Sequence, residues 1–192
     1  MIMATVLEYM KFSLNVYSAS TANLIGVPLG WTRTDWQPDM PSGFSAGTFV
    51  KGNDVIISYT GTNGGLDYLN WGIGGGLPLT QIYDAIDYFF AAKAAHPGKN
   101  ITFTGHSLGG GLASLMAIYF DKQATTFDEA PFQLAAMSPI VKENVSIYMD
   151  TKVYIDSAFG GYVSSWESFT LTRRLSDNKS GLEAILLLSG KF

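Results

Sequence analysis

The chain has 192 residues, 47% of them hydrophobic and 15% charged, with a formal net charge of −4. That balance suits one globular domain with a substantial core, and it excludes a disordered chain or a strongly basic one built for nucleic acid. Cysteine is absent, which excludes a disulfide framework, a cysteine nucleophile and thiolate metal sites.

The N-terminal stretch MIMATVLEYMKFSLNVYSAS has no basic leader, and Glu8 and Lys11 interrupt its apolar run. It reads as a packed helix rather than a signal peptide. No uncharged run approaches the length of a bilayer span. The cytoplasm and export without a signal peptide both stay open. Within that helix Val6, Leu7, Met10, Leu14 and Tyr17 fall on one face, the expected core face. Residues 27–41 carry Pro28, Pro38 and Pro41 around Trp31 and Trp36 and read as a surface loop. The runs FSAGTFV and DVIISYTG then flank Lys51-Gly52-Asn53, a hairpin signal, so the sheet is expected to begin antiparallel.

Residues 64–78, GGLDYLNWGIGGGLP, read as a loop or a short mobile helix. Leu79, Ile82, Tyr83, Ile86, Phe89 and Phe90 repeat at helical spacing, with Asp84 and Asp87 off the stripe, and His96-Pro97-Gly98 closes the helix. A strand at Ile101–Thr104 and a helix from Leu108 to Phe120 follow. FQLAAMS is expected to be a strand, 141–165 partly helical, and FTLTRRL a last strand. Strand and helix alternate from residue 54 onward. The fold expected is α/β, with a mostly parallel sheet, an antiparallel N-terminal hairpin and helices on both faces, in a single domain over 1–192.

The chemistry centres on ITFTGHSLGG, Ile101 to Gly110. A strand runs into Gly105-His106-Ser107-Leu108-Gly109 and a helix leaves it. Such an elbow holds a serine in strained backbone geometry at a helix N-terminus, where free N–H groups face a developing oxyanion. Gly105 and Gly109 remove the side chains that would collide across the turn. The alternative is a tight packing turn without catalysis. The pattern occurs twice: Gly43-Phe44-Ser45-Ala46-Gly47 also fits, but it enters a strand with no helix behind it and is assigned no chemistry.

The combination resembles the class 3, fungal-type lipases of the α/β-hydrolase superfamily, over roughly Val55 to Pro139. It is strongest at GHSLGG, with further matches at VIISYTGTNGGLDYLNW and AAMSPIVKEN. The resemblance implies a carboxylic ester hydrolase acting on acylglycerols or other lipid esters, with Ser107 as nucleophile. Thr62 and the Leu108 N–H would be oxyanion donors, and Asp67 and Asn70 braces for that loop. Thr60 stands where these lipases commonly carry arginine. The glycine-rich 64–78 segment would border the site, with Trp71, Ile73 and Leu77 able to meet lipid at a lipid–water interface; an ordinary flexible loop is the alternative. Asp177, after the strand expected at Phe169 to Leu175, sits where the triad acid belongs, with Asp150 and Asp156 placed less well. No cofactor, metal or nucleic-acid partner is implied, and oligomeric state is not legible.

A serine nucleophile needs a base, and the chain has two histidines, His96 and His106. His96 precedes the strand that delivers Ser107 and should lie roughly 15 Å away, at about 3.3 Å per strand residue, beyond the reach of a general base. His106 neighbours Ser107 in the chain, where side chains diverge; it is expected to pack beneath the turn. No histidine follows Ser107. Three readings stay open: a lipase whose C-terminal part with the histidine is missing, which is preferred; a catalytically impaired lipid- or acyl-binding module; and a base supplied by a partner subunit.

Overall fold

A computed structural model describes residues 4–18, 24–61 and 77–158, with side chains as far as Met149. Helix α1, Val6–Asn15, starts at a capping box: the Thr5 side chain accepts from the Glu8 N–H, and Glu8 accepts from the Thr5 N–H. Three antiparallel strands follow, β1 (Thr32–Gln37), β2 (Ala46–Lys51) and β3 (Asp54–Tyr59). Then come α2 (Leu79–Ala95), β4 (Asn100–His106), α3 (Leu108–Tyr119), β5 (Gln123–Phe127), the single turn α4 (Gln133–Met137) and α5 (Pro139–Ala158). The sheet order is β1-β2-β3-β4-β5, parallel from β3 to β5. This is the expected α/β-hydrolase-like architecture, entered by an antiparallel arm.

Alternation along the strands assigns the two faces. Val55, Ile57, Tyr59, Ile101 and Phe103 join the larger core with Ile82, Ile86 and Phe89 of α2 and Leu112 and Met116 of α3. Phe89 stacks on Phe120 with centroids 4.0 Å apart. On the opposite face Ile56 and Phe49 meet Tyr9, Phe12 and Trp31 in a second cluster. Helix α1 is tied there by Tyr9 Oη and Thr102 Oγ1 at 2.9 Å and by Ser58 Oγ donating to Phe12 O at 3.2 Å. Helices therefore cover both faces. Two helices on the larger core also dock on each other: Tyr83 of α2 stacks on Tyr148 of α5 with centroids 4.2 Å apart, and Tyr148 Oη donates to Asp87 at 2.7 Å.

Three local readings need correction. Four of the five residues of the stripe expected to bury α1 face outward, with Val6 68% and Leu7 57% exposed and Met10 and Leu14 beside them, while Tyr17 is half-buried. The buried face is Tyr9, Phe12, Ser13 and Val16. Both sets have helical spacing; the docked one carries the rings and hydroxyls that match the sheet. Residues 27–41 are not all loop, because β1 pairs with β2 there. Its residues are largely solvated and a register shift interrupts it between Arg33 and Asp35, so no apolar alternation announced it. FQLAAMS forms the helical turn α4 rather than a strand, as suits Leu, Ala and Met, and Pro139 opens α5 where its missing N–H costs nothing. The strand in this region is instead β5, QATTF. The last strand expected, FTLTRRL, lies outside the described residues.

Candidate active site

Strand β4 ends at His106 and α3 begins at Leu108, so Ser107 alone makes the change of direction. Its backbone is at φ 55°, ψ −124°. A non-glycine residue there costs of order 1–3 kcal/mol and persists only where surrounding contacts over-determine it. Those contacts are present. Ser107 N–H donates to Phe127 O at 3.1 Å, and Ser107 O accepts from Ala130 N at 2.8 Å and Gly111 N at 3.1 Å. The loop after β5 that supplies Ala130 is held in turn by Glu129, whose carboxylate accepts from Ser114 Oγ at 2.6 Å and Thr126 Oγ1 at 2.7 Å.

The elbow's glycines stand where the chain is most closely packed. A Cβ on Gly105 would overlap the carbonyl of Gly109, and one on Gly109 would overlap Tyr59 O and lie 2.6 Å from Thr60 O. The start of α3 is thus pressed onto the end of β3, backbone against backbone. Tyr59 beneath it is wholly buried, its hydroxyl donating to Ala85 O at 3.2 Å; burial pushes that phenol well above its ordinary pKa. Leu108, the first residue of α3, has its side chain buried. The first N–H groups of a helix have no acceptor within it and carry the positive end of its dipole. Ser107 sits at that end.

Neither histidine is joined to Ser107. Among the described residues no group hydrogen-bonds the Ser107 hydroxyl. His96 caps α2 and places Nε2 3.4 Å from Thr34 Oγ1 of β1. Strand β1 is separated by β2 and β3 from β4, the strand that delivers Ser107, roughly 14 Å across the sheet at about 4.8 Å per strand. His106, half-buried, pairs in register with Phe127. Leu77, expected at a lipid-facing edge, is instead buried beside Gly111. Thr62, Asp67, Asn70, Trp71, Ile73 and Asp177 lie outside the described residues, as do the side chains of Asp150 and Asp156. One residue that sequence reasoning did not connect with the site is Tyr17: its hydroxyl accepts the Gly61 N–H at 2.6 Å, at the point where the chain leaves β3 beside Ser107. Its place at the end of a helix, far from any motif, offered no signal.

A cleft of about 440 Å³ opens at the opposite end of the parallel strands, lined by Tyr9, Trp31, Asp54, Lys99 and Lys122 among others. It is remote from Ser107. Among the described residues no cluster of side chains could hold a metal ion, and no helix is long and apolar enough to cross a membrane.

Fold and elbow together define an α/β-hydrolase-like protein. Within that class, residues 16–183 match the phospholipase-like family described as the Tle-like phospholipase domain, and the chain belongs to it. It is 37% identical over 93 residues to an extracellular phospholipase A1 of Serratia liquefaciens, covering 48% of this chain and 29% of that protein. It is 47% identical over 57 residues to the putative lipase ATG15 of Kluyveromyces lactis, covering 29% and 10%. The chain therefore spans less than a third of the curated relatives it matches. Among solved structures it is similar to a lipase of Rhizopus microsporus var. chinensis, with TM-score 0.46 and 15% identity over 65% of this chain and 58% of that one. Lip2 lipase of Yarrowia lipolytica gives TM-score 0.46 and 16% identity over 64% and 56%.

Proposed function

We propose that this chain is a lipolytic carboxylic ester hydrolase, with Ser107 attacking the ester carbonyl. The observation that carries the reading is the strained backbone of Ser107 at the N-terminus of α3, fixed by the packing of Gly105 and Gly109. A packing turn alone has no need of a strained serine. Serine Oγ would add to the carbonyl carbon, and the oxygen that gains charge would be met by the Leu108 N–H and, by family resemblance, by Thr62. Collapse releases the alcohol and leaves an acyl-serine for water to cleave. Asp177 is the acid the resemblance nominates. Membership of a phospholipase-like family, with a phospholipase A1 among the relatives, supports a glycerophospholipid or acylglycerol ester as substrate.

The proton of Ser107 needs an acceptor, and neither His96 nor His106 is hydrogen-bonded to it. That observation favours a second reading, in which this chain is a weak hydrolase or an acyl-binding module on the same scaffold. An oxyanion hole without its base retains some rate. The experiment that separates the two is hydrolysis of p-nitrophenyl esters and of phosphatidylcholine vesicles by the chain and by Ser107→Ala. Turnover abolished by the substitution supports the hydrolase; saturable binding of a fatty-acid analogue, unchanged in Ser107→Ala and without turnover, supports the binding module.

A further inference from the structure

We propose that Tyr17 is a positioning residue for the chemistry at Ser107, a proposal that rests on the hydrolase reading above. Tyr17 follows α1 directly, and the chain around it is pinned from several sides. Val16 O accepts from Trp36 Nε1 at 3.0 Å, Asn15 Oδ1 accepts from Ile25 N at 2.6 Å, and Phe12 O accepts from Ser58 Oγ at 3.2 Å. The ring is half-buried, and its hydroxyl oxygen accepts the Gly61 N–H at 2.6 Å. A hydrogen bond of that length, made where both partners are already held, fixes the orientation of the Thr60–Gly61 peptide.

That peptide touches the nucleophile. A Cβ built on Gly61 would overlap Tyr17 Oη, lie 2.8 Å from His106 O and 3.2 Å from Ser107 Cβ. Tyr17, the end of β3 and the elbow therefore meet around one glycine, with no space for a side chain between them. Two consequences follow. The Gly61 N–H is committed to Tyr17, so it is not an oxyanion donor. The chain leaving β3 is also held at a set direction against Ser107, which α1 imposes from the other face of the sheet. Without the hydroxyl, Gly61 would lose its acceptor and the turn its fixed angle, while the ring would still fill its place.

The test is Tyr17→Phe in the 192-residue chain. Steady-state hydrolysis of p-nitrophenyl butyrate is measured beside the rate at which a fluorophosphonate labels Ser107, read by mass spectrometry. The expected result is a fall of about tenfold to a hundredfold in kcat and in labelling rate, below the loss from deleting a direct oxyanion donor. KM should stay within about twofold, because bound ground state and substrate pocket are unchanged. The Gly61 amide should exchange with solvent faster by NMR. Trp36→Phe, which loosens the helix end without removing Oη, serves as the control: it should lower the thermal midpoint and leave kcat intact. Equal losses of kcat in the two variants would make Tyr17 a purely structural residue and overturn the proposal. So would a Tyr17→Phe protein as reactive as wild type while wild type labels at Ser107. A wild type that neither turns over ester nor takes the label would instead bring down the hydrolase reading, and this proposal with it.

Discussion

Two pentapeptides of the same pattern, Gly43-Phe44-Ser45-Ala46-Gly47 and Gly105-His106-Ser107-Leu108-Gly109, sit in one small sheet and do different things. The first runs into β2. Ser45 is 2% exposed, and its hydroxyl lies 2.9 Å from Thr60 Oγ1. The loop before it is tethered to α2, where Ser42 Oγ donates to Asp84 at 2.5 Å and Ser42 O accepts from Gln81 Nε2 at 2.8 Å. The second leaves a parallel strand for a helix and bends at Ser107. Their glycines differ as much. At Gly47 an added Cβ would meet nothing closer than Val16 Cγ2 at 3.4 Å, ordinary contact, whereas at Gly105 and Gly109 it would strike backbone. The letters specify only where small residues stand. What distinguishes the strained serine from the strand serine is whether those positions are filled by another segment's backbone.

The largest contrast expected is in turnover. Ser107→Ala should reduce ester hydrolysis to the uncatalysed background. Ser45→Ala should keep it, at a stability cost of about 1 kcal/mol for one hydrogen bond, since Thr60 Oγ1 still donates to Ser45 O. Turnover assays with urea melts decide this, and loss of activity in a folded Ser45→Ala would erase the distinction.

Next comes the glycine pair. Gly109→Ala must displace the end of β3 or the start of α3, so a loss of about 3 kcal/mol or failure to fold is expected. Gly47→Ala should shift stability by no more than about 1 kcal/mol, and upward if the gain in chain stiffness prevails. Comparable losses at both positions in thermal melts would show that the elbow is not specially close-packed.

A smaller effect is expected at His106. If its ring takes no part in proton transfer, His106→Ala should leave kcat within about threefold of wild type, against the 10²–10⁴ that a general base supplies. Turnover that vanishes would place the base at His106 after all.

The smallest concerns the tether of the first pentapeptide. Burial raises the Asp84 carboxyl above its ordinary pKa, opposed by the Ser42 hydrogen bond and assisted by the charge of Asp87. A folded pKa above the unfolded one means stabilisation that is complete at low pH and lost as pH rises through the folded value. Asp84→Asn does not titrate, so its stability relative to wild type should grow between pH 4 and pH 7. Urea midpoints across that range measure the trend; a decline instead would mean that the ionised carboxylate strengthens the tether.

The core elements were legible because their signals were redundant. The β2–β3 hairpin had β-rich runs around Gly52-Asn53, α2 had an unbroken stripe, and the elbow had a strand, its glycines and a helix in register. What escaped notice depended on tertiary partners. Strand β1 is solvated along an edge and owes its form to β2; β5 owes its form to β4. The four-residue periodicity of α1 fitted two faces, and the one chosen was the one left in water. At the site, Ser107 could be found by local pattern, while Tyr17 reaches Gly61 from 44 positions earlier in the chain. The remaining nominated residues, Thr62 and Asp177, rest on family resemblance.

The strand order has a consequence for how the elbow comes to exist during folding. Pairing β1 with β2 and β2 with β3 closes short loops, and each costs little chain entropy. The parallel pairing of Asp54 with Asn100 and of Thr102 with Gln123 closes longer ones, and such non-local contacts form slowly. Two of the groups that hold Ser107 at its unfavourable angle, Phe127 O and Ala130 N, belong to and follow β5, the last strand in chain order among the described residues. Until that strand docks, two of the three backbone hydrogen bonds at Ser107 are missing and the strain is under-compensated. A nascent or partly unfolded chain would therefore have its antiparallel arm in place while its elbow was still unformed, so the strained backbone of Ser107 reports the docking of β5.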